Sequence, residues 1–180
     1  MRLDPLAADL RAQTIDDITD WLERDGVITP STRPAAEREE FGLAAWAPGP
    51  RWRTVVDFDP EVVFESLWHN GVDLTAEVQM QSALANYEDP TCSRCGVAFA
   101  AGDSLGDLIE DWLSTGEPTI TCSACQWTAL LGDWPTRFPP ALVGAPTITF
   151  HNWLPLRDQF VDDLFARTGG GRCRYFWQHL

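Results

Sequence analysis

Apolar and polar residues alternate without a break over residues 72–81, with Val72, Leu74, Ala76, Val78 and Met80 set against Asp73, Thr75, Glu77, Gln79 and Gln81. A period of two puts one set on a core and the other in water, so the stretch predicts a half-buried strand. Helical spacing appears elsewhere. Asp4-Pro5 opens one helix with Leu6 and Leu10 on one face, and Thr14, with Asp17 three residues on, opens a second whose stripe is Ile15, Ile18, Trp21 and Leu22, stopped by Gly26. A third starts at Asp59-Pro60-Glu61, packs Val63, Phe64, Leu67 and Trp68, and stops at Asn70-Gly71. Ser104 and Asp107 cap a helix carrying Leu105, Leu108, Ile109 and Trp112 up to Gly116, and Pro155 opens one that turns Leu156, Phe160, Leu164 and Phe165 inward.

Extended chain is expected at 27–30, 52–58, 119–121, 127–131 and 147–153, and again at 172–179 after the triple glycine Gly169-Gly170-Gly171. Residues 31–40 read as a surface loop or loose helix, residues 42–50 as an ordered loop anchored by Trp46, and residues 132–146 as irregular, proline-rich chain. Together these predict a single α+β domain over residues 1–180. Its sheet is mixed or antiparallel, its helices lie on one face, and a four-cysteine module is inserted at 90–127.

The insert is set by Cys92-Ser-Arg-Cys95-Gly96 and Cys122-Ser-Ala-Cys125, two Cys-x-x-Cys pairs 26 residues apart. Each pair places two sulfurs on one tight turn, and two such turns facing each other close a tetrahedron, so Cys92, Cys95, Cys122 and Cys125 read as ligands of one structural Zn²⁺ per chain. Two disulfides, an iron–sulfur cluster and a redox pair are the competing readings. Disulfides need an exported chain, and Asp4 and Asp9 interrupt any apolar leader, so a cytoplasmic location is expected. Iron–sulfur spacings bring three cysteines close in sequence, and a redox pair usually opens a helix. Cys173 reads as a small buried hydrophobe.

Charge narrows the function. The formal net charge is −14, and residues 1–89 hold 18 Asp+Glu against 7 Arg. Binding to nucleic acid depends on cations that displace counterions, so it is disfavoured even for the cysteine module. All 13 cations are Arg, which excludes Schiff-base chemistry and a phosphate-loop lysine. The longest uncharged run, 138–156, is broken by prolines and is not a membrane span. Of the three histidines, His151 in His151-Asn152-Trp153 is the catalytic candidate, as a base oriented by Asp158 or Asp162; a strand-end histidine bonded into a loop is the plainer alternative, because no nucleophile motif accompanies it.

The knuckles Cys92-x-x-Cys95-Gly96 and Cys122-x-x-Cys125 resemble those of zinc-ribbon proteins. The tail Thr147–Leu156, then Phe160 and the closing Tyr175–Leu180, resembles small bacterial proteins of unassigned function that carry a zinc-ribbon-like insert. That resemblance implies a fold and a metal but no catalytic residues. The sequence therefore points to a non-enzymatic, acidic, zinc-stabilised interaction protein, for instance an immunity-type protein or antagonist that meets a basic surface on its partner. The alternatives are a small enzyme with a pocket at His151, Asn152 and Asp158, and a nucleic-acid-binding ribbon.

Overall fold

The computed structural model describes residues 5–57, 67–83, 87–99, 102–169 and 172–176. Its contacts divide the chain into two compact units: Asp4–Glu77 with Ala145–Cys173, and Val78–Gly144 with the chain from Arg174. The segment 90–127 lies within the second. The architecture is α+β, with four α-helices among the described residues and antiparallel pairing in every sheet.

The first unit opens with α1, Pro5–Arg24. Two helices were expected here, but nothing breaks the chain between them, and the Thr14 hydroxyl bonds back to the Leu10 carbonyl at 2.8 Å instead of capping a new start. Gly26, at φ 70°, ends the helix region. Strands β1 (Ile28–Pro30), β2 (Trp46–Pro48), β3 (Gly71–Thr75) and β8 (Thr147–His151) then form one sheet in that order. The short α2 (Ala35–Phe41) buries no residue. Strand periodicity aims Ile28, Trp46, Val72, Leu74, Ile148 and Phe150 into one core, where Ile18, Trp21 and Leu22 of α1 meet Phe160, Val161 and Leu164 of α4 (Asp158–Arg167). Ile18 and Leu22 are fully buried, worth about 2 kcal/mol each. Ring contacts run through this core from Trp52 to Trp153, Phe150, Phe160 and Trp21, with centroids 5.1–6.1 Å apart.

Three expectations for this unit change. Of the strand expected over 52–58, residues 52–57 form none: Trp52–Thr54 is a 3₁₀ turn, held by the Trp52, Thr54 and Val55 N–H groups bonding to carbonyls three residues back, and Val56 makes an isolated bridge, to Leu156, while residue 58 lies outside the described residues. Residues 42–50, read as a loop, contain β2. Gly71 does not stop a helix; it begins β3. A Cβ there would lie 2.4 Å from that of Ala44, so the close approach of chain at this point requires glycine. Leu67 and Trp68 are exposed, and the rest of the helix expected at 59–70 lies outside the described residues up to residue 66.

The second unit holds β4 (Gln79–Gln81) paired with β7 (Leu142–Gly144), and β5 (Thr119–Thr121) paired with β6 (Thr128–Leu130). The long strand expected over 72–81 is thus broken, with the Glu77 N–H turned onto the Thr75 hydroxyl at 3.1 Å. Helix α3 (Leu105–Ser114) forms where its apolar stripe predicts, but Ser104 makes no side-chain cap bond to it, and Gly116 at φ 126° follows it. Trp112 on α3, Ile120 on β5, Leu131, Trp134, Cys92 and Cys122 make a second core, with Phe99 and Trp127 packed at its side. Residues 172–176 form no strand; the remainder of the strand expected over 172–179, His179 included, lies outside the described residues.

Candidate functional site

The two Cys-x-x-Cys segments fold alike. In the first, the Cys92 N–H bonds the Val97 carbonyl at 2.9 Å and the Gly96 N–H bonds the Cys92 carbonyl at 2.8 Å. In the second, the Cys122 N–H bonds the Trp127 carbonyl at 2.7 Å and the Gln126 N–H bonds the Cys122 carbonyl at 2.9 Å. Both turns need a left-handed residue after the second cysteine, and Gly96 (φ 74°) and Gln126 (φ 58°) supply it. Gln126 offsets its strain with two side-chain bonds, from its Nε2 to the Cys122 carbonyl at 3.3 Å and the Ser123 carbonyl at 3.2 Å.

These turns bring all four sulfurs within 4.8 Å of one another. Cys92 Sγ and Cys125 Sγ are 3.6 Å apart, as are Cys95 Sγ and Cys122 Sγ. Thiolates held tetrahedrally at bonds of about 2.3 Å have edges of about 3.8 Å, so the donor set fits one tetrahedral metal ion. Backbone N–H groups also address the sulfurs, as from Arg94 to Cys92 at 3.4 Å. The Cys125 N–H, with help from Ala124 against desolvation, draws the Cys122 thiol down to about 6. For Cys95 the Val97 N–H pulls downward, but desolvation and the bonds to Cys125, Cys122 and Cys92 prevail and push it up to about 12. Like charges this close oppose full ionisation, and a divalent cation reverses that balance.

In the other unit the carboxylate that meets His151 is Asp73, neither Asp158 nor Asp162. His151 Nε2 donates to Asp73 Oδ2 at 2.9 Å, and Asp73 Oδ1 accepts the Ala45 N–H at 3.1 Å. The register causes this. Gly71 lies opposite His151 and Asp73 opposite Thr149, so the two side chains are diagonal neighbours on the polar face of β3 and β8. The His151 bond, joined by the Ala45 N–H and by attraction to His151 and Arg38, holds the Asp73 carboxyl below its ordinary value against partial burial. Asn152 follows β8, exposed and at φ 57°, and Asp158 is the first residue of α4. Alternation had placed Asp73 on a polar face; its partner 78 residues away follows from register, which the sequence does not display. Among the described residues no helix is long and apolar enough to cross a membrane. No family model, no curated protein and no solved structure matches the chain.

Proposed function

We propose that this chain is a non-enzymatic, acidic protein-interaction protein whose inserted segment, residues 90–127, is a zinc-ribbon-like module holding one structural Zn²⁺ on Cys92, Cys95, Cys122 and Cys125. The observation that carries this reading is the cluster of four thiols on two matched turns. Four sulfurs fill a tetrahedron, so a metal held there keeps no position for water or substrate and serves to fix the surrounding backbone. The excess of Asp and Glu in residues 1–89 supports a partner with a basic surface, as for an immunity-type protein or antagonist, and counts against nucleic acid. Native mass spectrometry of the chain isolated at low salt tests the reading: one zinc per chain and a stoichiometric partner are expected, with an association rate that falls steeply as salt is added. A chain carrying zinc but no partner, or an association indifferent to salt, counts against it.

A second reading, an enzyme acting through His151, draws on one observation, the 2.9 Å bond to Asp73 that would orient the ring as a base. Turnover abolished in His151→Ala, with the melting temperature unchanged, would favour it.

A further inference from the structure

The four cysteines of the cluster differ in how open they are to solvent. Cys95 is exposed and Cys125 half-buried, whereas Cys92 and Cys122 are each 2% exposed and share a core with Trp112, Ile120 and Trp134. Each of the two 3.6 Å contacts joins one open residue to one buried residue, Cys95 to Cys122 and Cys125 to Cys92. Both contacts cross from one turn to the other. A closure of about 1.5 Å would bring either pair to a disulfide bond of about 2.05 Å. The fifth cysteine, Cys173, belongs to the other unit.

We propose that Cys95 is an oxidation site through which hydrogen peroxide converts the cluster from a metal centre into two disulfides, Cys95–Cys122 and Cys92–Cys125, with release of the ion. The exposed sulfur meets the oxidant and the buried one resolves it. As the peroxide O–O bond breaks, an S–O bond forms on the Cys95 thiolate and hydroxide leaves. The Cys122 thiolate then attacks that sulfur, the S–S bond forms, the S–O bond breaks and a second hydroxide leaves. One peroxide is reduced and two thiolates are oxidised for each disulfide. Loss of two thiolates ends the tetrahedral hold on the ion, and a second peroxide closes Cys92 with Cys125 through the half-buried Cys125 in the same way. The new bonds join the same two turns that the ion joined. Regulation of this kind rests on the reading of the cluster as a zinc centre.

Treatment of the zinc-loaded full chain with hydrogen peroxide tests this, with a chromogenic chelator reporting free zinc and peptide mass spectrometry mapping the disulfides. One zinc released per chain and linkage of Cys95 to Cys122 and of Cys92 to Cys125 are expected, with dithiothreitol and added zinc restoring the starting form. Cys95→His keeps a fourth ligand but removes the exposed sulfur, and slows release by about tenfold. Cys173→Ser leaves the rate unchanged. Should Cys95→His fail to hold zinc, the disulfide map of the unsubstituted chain still decides. A chain that takes up no zinc removes the zinc reading and the proposal together. A chain that keeps its zinc and its thiols in excess peroxide overturns the proposal alone, as does linkage within each Cys-x-x-Cys pair or through Cys173.

Discussion

Individual residues separate what the backbone demands from what charge supplies. Gly96 and Gln126 occupy equivalent left-handed positions in the two turns, and nothing lies within 4 Å of where a Cβ on Gly96 would stand. The cost of Gly96→Ala is therefore conformational and not steric. It should lower stability by about 1 kcal/mol, read as a reduced urea midpoint of the metal-loaded protein. Asp73 makes the opposite kind of case, because its folded-state value is depressed. Such a group adds stability that is complete above its unfolded value, near 3.8, and is lost as pH falls through the lower folded value. At half exposure the contribution is under about 1 kcal/mol. Urea midpoints measured from pH 7 to pH 2 should show an acid-side decline that is shallower in Asp73→Asn; an unchanged slope would mean the His151 bond adds nothing net.

Elements show where packing overrules pattern. Trp112 is buried in the cysteine core while Leu113, the next residue on α3, is 45% exposed. Trp112→Ala should cost about 3–5 kcal/mol and Leu113→Ala less than about 0.5 kcal/mol, compared as urea midpoints of the two metal-loaded variants. The stripe of α3 was legible because amphipathic spacing coincides with a real face, and the same holds for Phe160, Leu164 and Phe165 of α4, although that helix starts at Asp158 and not at Pro155, which leaves Leu156 in an isolated bridge to Val56. The sheet around β2 was not. Pro48 and Gly49 disguise a three-residue strand whose pairing comes from β1 and β3. The turn at Trp52–Thr54 was hidden by a strand-like run, Val55-Val56, because local carbonyls captured its N–H groups first. For the candidate site, spacing alone brought Cys92, Cys95, Cys122 and Cys125 into view. The Asp73–His151 pair depends on the register of β3 against β8, which no local pattern encodes.

At the scale of the whole molecule, the two cores differ in what holds them. The core of α1, α4 and the four-stranded sheet contains no member of the cysteine quartet, whereas Cys92 and Cys122 are part of the other core, beside Trp112, Ile120 and Trp134. Metal-binding free energy enters folding wherever the ligands sit in the core they organise. Removing the metal with a high-affinity chelator should therefore unfold one unit and spare the other. Hydrogen exchange followed by mass spectrometry resolves this directly: amides in α3, β5 and β6 should lose protection once the chelator is present, while those in β3, β8, α4 and residues 18–22 keep it. Cys122→Ser should reproduce the same map without chelator, because a set of three thiolates no longer closes the tetrahedron. Loss spread evenly over both units would mean that the metal's contribution is shared through the whole chain, and a map that does not change would mean that the second core stands without any ion on its four sulfurs.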